Sequence, residues 1–543
     1  MLRCVVGIVR GLSFAFVAAG LPVGATDARA VQPTRQGETA QHRGVHEIAL
    51  EASLDGRNPY FDVDLQICFT RPDGTEVHVD GFYDGEQTFR ARAYCDAAGV
   101  WRWRSIANVA SLNSRTGQFR VAASARRGKL RKHPDDPRQL AYDNGQWFLH
   151  IGDTGYRFVT DTEPHWQAYI DQAAQAGFTK IRTWFCRGRS DVQALFLENR
   201  QGMDLTYWRE IDRRLTYALN HHPQVIIQLI PYGEDTAEIA RYGQGDKASI
   251  LLGKYAQARF SAFPNVHWCL TNDRQIVQQG PLKGRQTLHE VIDRMGKDFA
   301  RRERWGTLLT NHQMRRQGYH FTAAPWSDIV TLEDIDQVAG ALILHYRGQT
   351  DDPVILDEDR YELYIPPDHP RYFFRRLMWA SLLSGGAATY GGLKTYEPYD
   401  GELRGVQGYA DAVRAGKLVG GARDFPHIHQ FFRDTGVTLV GMEPADVLAG
   451  YQPHRFKCIR DADNLIVYLQ NPDSDEPQKA QPRSKPAIVK IHLPPSVYRA
   501  RWFEPTTGRW VEEGESKDIT GGIQRQFKAP FPGDAILHLR RRS

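Results

Sequence analysis

Between about residue 140 and residue 420 the sequence alternates short apolar runs with amphipathic stretches, and this one pattern decides most of the fold. The apolar runs fall at 147–151, 179–184, 224–230, 266–270, 307–310, 328–332, 353–356 and 387–390. Short apolar runs bounded by turn residues are the signature of buried parallel strands. Between them, 165–176, 207–219, 250–260, 288–300, 335–346 and 372–383 carry apolar residues at helical spacing. Eight strands alternating with helices over about 280 residues predict an α/β fold of the (β/α)8 kind, a TIM barrel. A doubly wound open sheet would alternate in the same way, but it needs a glycine-rich first turn. Gly152-Asp153-Thr154-Gly155 does not match G-x-G-x-x-G.

Two regions of period two flank the barrel. Residues 44–124 contain the alternating runs Val63-Asp64-Leu65-Gln66-Ile67-Cys68-Phe69 and Thr88-Phe89-Arg90-Ala91-Arg92, separated by turns such as Pro72-Asp73-Gly74. This spacing predicts an N-terminal β-sandwich. Residues 429–543 return to the same pattern and predict a second, C-terminal sandwich. The basic, proline-bearing segment 125–139 reads as a solvated linker, and the barrel as 140–428. The rings in Gly81-Phe82-Tyr83-Asp84-Gly85 and Gly99-Val100-Trp101 are assigned to core and interface packing rather than to a sugar platform.

The start of the chain is basic, then apolar from Gly11 to Gly24, then Ala28-Arg29-Ala30. That order predicts a secretory signal peptide over 1–30, a flexible leader over 31–43, and a secreted or periplasmic protein with no membrane span after cleavage. Cleavage removes Cys4 and leaves five of the six cysteines. Cys68 and Cys95 either bridge or stay as two buried thiols. With 69 Lys+Arg against 64 Asp+Glu, the chain lacks the concentrated basic face that nucleic acid requires.

Working residues in a barrel lie just past the C-terminal ends of the strands. The fourth strand runs into Thr271-Asn272-Asp273, and the seventh into Asp357-Glu358-Asp359-Arg360-Tyr361-Glu362. Carboxylates from strands four and seven can face each other across the mouth and divide the work of glycoside hydrolysis between an acid and a nucleophile or base. Their separation, which decides between retention and inversion, is not encoded in the spacing. Other strand ends supply groups suited to sugars: Asp153 and Tyr156, Arg182 and Trp184, Tyr232, His312, Glu333 and Tyr390. Arg182 could equally be an interior ion-pair partner, Trp184 a core residue, and His312 the partner of a carboxylate. No H-E-x-x-H and no G-x-S-x-G is present, and no metal or organic cofactor is expected.

These motifs resemble the apiosidase-like glycoside hydrolases of the clan A (β/α)8 group. The barrel opening Ile151-Gly152-Asp153-Thr154-Gly155-Tyr156 is similar to that family's L-G-D-T-A-W run. Glu358 with Tyr361-Glu362 is similar to its E-x-x-Y-E run, and Tyr498-Arg499-Ala500-Arg501-Trp502-Phe503 resembles a collagen-binding-type C-terminal sandwich. The resemblance implies an O-glycoside hydrolase acting on an oligo- or polysaccharide of plant or microbial origin. It makes Asp273 the general acid/base, Glu358 the nucleophile of a double displacement, and Asn272 the partner of a hydroxyl beside the anomeric carbon. A non-catalytic carbohydrate-binding barrel and an inverting enzyme with the same carboxylates are the alternatives. Period-two alternation turns Asp357 and Asp359 away from the direction of Glu358. The loops 187–206, 235–249 and 393–405 are expected to shape the pocket.

Overall fold

The computed structural model describes residues 39–186, 191–276, 289–362, 370–393, 420–512 and 518–542. The expected signal peptide, most of the leader, and parts of the 187–206 and 393–405 loops lie outside them. All eight predicted barrel strands are present: Ile151–Thr154, Lys180–Trp184, Ile226–Ile230, Val266–Cys269, Leu309–Thr310, Val330–Glu333, Val354–Glu358 and Ala387–Leu393. They are parallel and hydrogen-bonded in the order five-four-three-two-one-eight-seven-six. The seam between strands five and six is closed by other bonds. Asp328 N donates to Leu309 O at 2.8 Å, Thr310 Oγ1 to Ile329 O at 2.6 Å, and Thr331 Oγ1 to Asn311 O at 2.6 Å. The sheet with its surrounding helices is a (β/α)8 barrel.

The segment 125–139 is not a solvated linker. Leu130–Lys132 pairs antiparallel with Leu140–Tyr142. This hairpin, with Phe148, packs on Ile226, Leu308, Ile329, Ile355 and Ala387 at the strand starts. It plugs the bottom of the barrel, and Lys129 Nζ donates to Phe263 O and Thr307 Oγ1 at 2.8 and 2.9 Å. The apolar run at 147–151 therefore serves the plug, and the first strand starts only at Ile151.

The N-terminal sandwich packs a five-stranded sheet on a three-stranded one. It starts at Ala40, not 44, because Ala40–Gln41 pairs parallel with the Thr116–Ala122 strand. Its run around Phe82 is an interface, as the sequence reading has it. Arg259 of the barrel lies over the Phe82 ring and bonds Asp84, while Arg92 bonds Asp212. The C-terminal sandwich faces a seven-stranded sheet with the pair Pro486–His492 and Gln524–Pro532. The barrel ends later than 428, since helix Phe425–Thr435 packs its Phe431 and Phe432 on Trp379 of the eighth-strand helix layer. Arg375 ties the two units by bonding Asp424 and Asp534.

All five described cysteines are free and buried. No Cys68–Cys95 bridge forms because Cys95 sits in the core while Cys68 points to the opposite face of its sheet. Among the described residues no helix is long and apolar enough to cross a membrane.

Candidate active site

Strand register decides which side chains enter the barrel. Ile226, Ile355 and Ala387 point into the bottom plug, so their register partners two residues further up also point inward. Lys180 pairs with Ile226 and Gly152, and Arg182 pairs with Gln228 and Thr154. Two cations on one strand therefore point into the barrel, and both are essentially unexposed. Buried charges need partners. Lys180 Nζ bonds Asp357 Oδ1, and Thr389 Oγ1 donates to the same oxygen at 2.6 Å. Burial alone would raise the Asp357 carboxyl, but Lys180 and Arg182 outweigh it and hold it well below the usual carboxylate range.

Asp357 thus faces the interior, against the expectation from alternation. The reason is a β-bulge. Leu332 pairs with Leu356 but Glu333 pairs with Glu358, so Asp357 is the extra residue on the seventh strand. A bulge resets the alternation, which lets Asp357 and Glu358 both face inward. Asp359 does turn away, accepting the Asp336 and Gln337 backbone N–H groups at 3.0 and 3.1 Å. Its burial pushes it up to about 7. The stability that goes with its proton is full below about pH 4 and falls as pH rises through about 7. Asp359→Asn is expected to flatten that part of a urea-midpoint-against-pH curve.

Glu358 ends the seventh strand at the mouth. Arg182 Nη1 donates to its Oε2 at 2.6 Å, Tyr156 Oη to the same oxygen at 3.1 Å, and Tyr361 Oη to Oε1 at 3.0 Å. Tyr156 is set by stacking flat on Trp184, with centroids 3.9 Å apart. Asp273 follows the fourth strand through a left-handed backbone, φ 44°. Aspartate tolerates that region better than most residues. Bonds from Thr271 N and Oγ1 to Asn311 Oδ1 and from Arg274 Nη1 to Glu234 O hold the turn. One oxygen each of Asp273 and Glu358 and one nitrogen of His312 lie within 4.8 Å of one another.

His312 Nδ1 is 3.1 Å from Asp273 Oδ1 and 2.9 Å from Arg182 Nη2. One imidazole nitrogen cannot serve both at once. Bare, it accepts from Arg182; protonated, it donates to Asp273. Arg182 Nη2 also bonds Asn272 Oδ1, and Asn272 Nδ2 donates to Glu234 Oε1 at 3.2 Å. The three clustered donors are close enough to hold a divalent ion, but the Arg182 guanidinium already supplies positive charge to two of them. Glu333 is a further carboxyl of the mouth. Burial, then the charges of Asp273 and Glu358, hold it well above the usual carboxylate range. Arg315 opposes this, donating from N at 2.8 Å and Nε at 3.1 Å.

The structure therefore gathers Asp273, Glu358, Asn272, Tyr156, His312, Arg182 and Glu333 at the mouth. Arg182 is the interior ion-pair partner and His312 the partner of a carboxylate, the alternatives left open by the sequence. Trp184 is fully buried behind Tyr156 and presents no face to a ligand. Three predicted contacts are misplaced, because their side chains enter the helix layer. Asp153 accepts from Tyr169 Oη at 2.6 Å, Tyr390 packs on Phe178, Phe374 and Phe425, and Tyr232 donates to Ser249 O. Sequence reasoning missed Tyr361, Glu234, Arg315 and the Lys180–Asp357 pair as parts of the site. The signal for the last was two cations at i and i+2 in an otherwise apolar strand.

Solved structures share this architecture. A protein of Bacteroides vulgatus described as a glycoside hydrolase superposes with a TM-score of 0.71 at 17% identity, covering 93% of this chain and 100% of its own. A glycoside hydrolase family 5 protein of the same organism gives 0.57 at 17% identity over 76% of this chain and 94% of its own. At such identities the likeness is one of fold. No curated protein matches the sequence significantly. Residues 40–108 match a domain of unknown function, DUF5060. The family described as "Apiosidase-like, catalytic domain" matches residues 134–436, more than half of the 543 residues, and this chain belongs to that family.

Proposed function

We propose that the protein is an O-glycoside hydrolase that cleaves a plant or microbial oligo- or polysaccharide with retention of configuration. The observation that carries this reading is the placement of Asp273 and Glu358, with carboxylate oxygens within 4.8 Å of each other at a barrel mouth. Retaining enzymes set their two carboxyl groups about 5–5.5 Å apart, whereas inverting ones leave about 6.5–9.5 Å for a water.

Glu358 attacks the anomeric carbon. Arg182, Tyr156 and Tyr361 fix both of its oxygens, so attack begins from one orientation. Asp273 gives its proton to the leaving oxygen. In the second step it takes a proton from the water that releases the sugar from Glu358. Asn272 keeps one N–H of Nδ2 for a sugar hydroxyl, the other being used by Glu234. Glu333, whose carboxyl burial and the charges of Asp273 and Glu358 hold well above the usual carboxylate range, is a second polar group for a sugar hydroxyl. No step calls on a cofactor. The basic, apolar and small-residue start of the chain supports action outside the cytoplasm.

The test is the anomer of the first-formed product, read by NMR on an aryl glycoside that the protein turns over. Retention is expected. An inverted product overturns the double displacement, and no turnover across a broad panel of aryl glycosides and glycans favours a binding barrel.

A further inference from the structure

We propose that the outer face of the N-terminal sandwich carries a binding site for a zinc-class divalent metal, built from Cys68, His78 and Glu76. The site is remote from the barrel mouth and does not depend on the proposed hydrolase activity.

Alternation puts these three side chains on one surface. In the strand Leu65–Thr70, Leu65, Ile67 and Phe69 enter the core, so Cys68 points outward. In Glu76–Asp80, Val77 and Val79 enter the core, and Glu76 and His78 point outward. The two strands are antiparallel with Cys68 directly opposite His78, which brings their Cβ atoms to about 4.5–5.5 Å. One donor atom each of Cys68, Glu76 and His78 lies within 4.8 Å of the others. His78 Nε2 is 3.6 Å from Glu76 Oε2. Tetrahedral zinc, with ligand bonds of about 2.0–2.3 Å, spaces its ligand atoms about 3.3–3.7 Å apart. The pair His78–Glu76 already meets that spacing, and the thiol needs only a small side-chain adjustment.

The donor set defines the metal. A thiolate and an imidazole beside one carboxylate select zinc and similar borderline ions over calcium or magnesium, which take oxygen ligands. Water supplies the fourth ligand. Cys68 itself is buried, but its register neighbours His78 and Arg104, and Glu76 beside them, are half-exposed, and two of these three are the other ligands. Arg104 Nη2 lies 3.5 Å from Glu76 Oε2 and must turn to solvent when the metal enters. Burial and the Glu76 carboxylate keep the proton on the Cys68 thiol, so binding releases it. A bound ion would clip the two strands of the hairpin together across the face away from the core.

Cobalt(II) is the probe, since a cobalt–thiolate bond gives a near-ultraviolet charge-transfer band and tetrahedral cobalt gives intense visible bands. The full-length protein, kept reduced, is expected to develop both at one equivalent and to lose them when zinc is added. Cys68→Ser should abolish the charge-transfer band while leaving the metal-free melting temperature unchanged. His78→Ala should weaken binding by at least the about 10–100-fold that losing an outer hydrogen-bond partner of a ligand costs. Arg104→Ala should tighten it, because it removes the competing cation. The carboxylate–imidazole cluster at Asp273, His312 and Glu358 contains no sulfur and cannot give the charge-transfer band. The proposal is overturned if the wild type shows no such band, or if the band persists in Cys68→Ser.

Discussion

Glu358→Ala is expected to lower kcat/KM on an activated aryl glycoside by about 10⁴-fold or more, with the fold intact. The carboxylate accepts three hydrogen bonds at the mouth, and among the described residues its neighbouring carboxyls are otherwise engaged. Asp357 is tied to Lys180 deep in the barrel, Asp359 faces away to two backbone N–H groups, and Glu333 is engaged by Arg315. Small anions decide the role. With Glu358→Ala, azide should restore turnover and give a glycosyl azide of inverted configuration, because it enters from the face that Glu358 vacates. Asp273→Ala should keep its first step on substrates with good leaving groups. Azide should then attack the glycosyl-enzyme and give a product of retained configuration. Equal loss in both variants, with no rescue of either, would remove both residues from the assigned roles. Retained activity in Glu358→Ala would remove Glu358 alone.

The barrel was legible because eight apolar runs and their helices leave little choice of architecture. That Asp273 and Glu358 meet at the mouth was legible because strands four and seven run straight into them. What failed was the direction of side chains near those ends. Asp153 and Tyr390 are register neighbours and share one face of the sheet, the outer one. Their parity could be read only by knowing that 147–150 belongs to the bottom plug, which the sequence offered as the start of a strand. Tyr232 lies past its strand end, where no parity applies. The bulge at Asp357 was equally hidden, because an inserted residue looks like any other member of an alternating run. The plug itself was missed for a compositional reason. Residues 125–139 are rich in arginine, lysine and proline, but Arg131 spends its charge on Asp143 and on Trp305 O, and Lys129 on two buried oxygens. Charge counted along a chain does not tell solvated cations from satisfied ones.

Lys180→Met is expected to destabilise the barrel by about 3–5 kcal/mol at neutral pH, the cost of leaving a buried charge without its partner. The pair is fully enclosed, with side-chain exposures of 1% and 0%. Asp357 would keep only Thr389 and the Arg182 Nε, which is 3.9 Å away. The sign of the pH dependence follows from Asp357, whose carboxyl is held below its unfolded value. Its contribution is present above about pH 4 and is lost only as pH falls through the depressed native value. The gap in urea midpoint between wild type and Lys180→Met should therefore be widest at neutral pH and narrow in acid. Lys180→Met combined with Asp357→Leu removes both charges and should recover part of the loss, since apolar replacement of a whole buried pair is often neutral. The double variant should still be a poor catalyst. Arg182 would lose the carboxylate beside its Nε, and its Nη1 is what aims Glu358. A lower kcat with a nearly unchanged KM in a variant of recovered stability would identify the pair as positioning the nucleophile. Wild-type kcat in that variant would show that the interior charges serve stability alone.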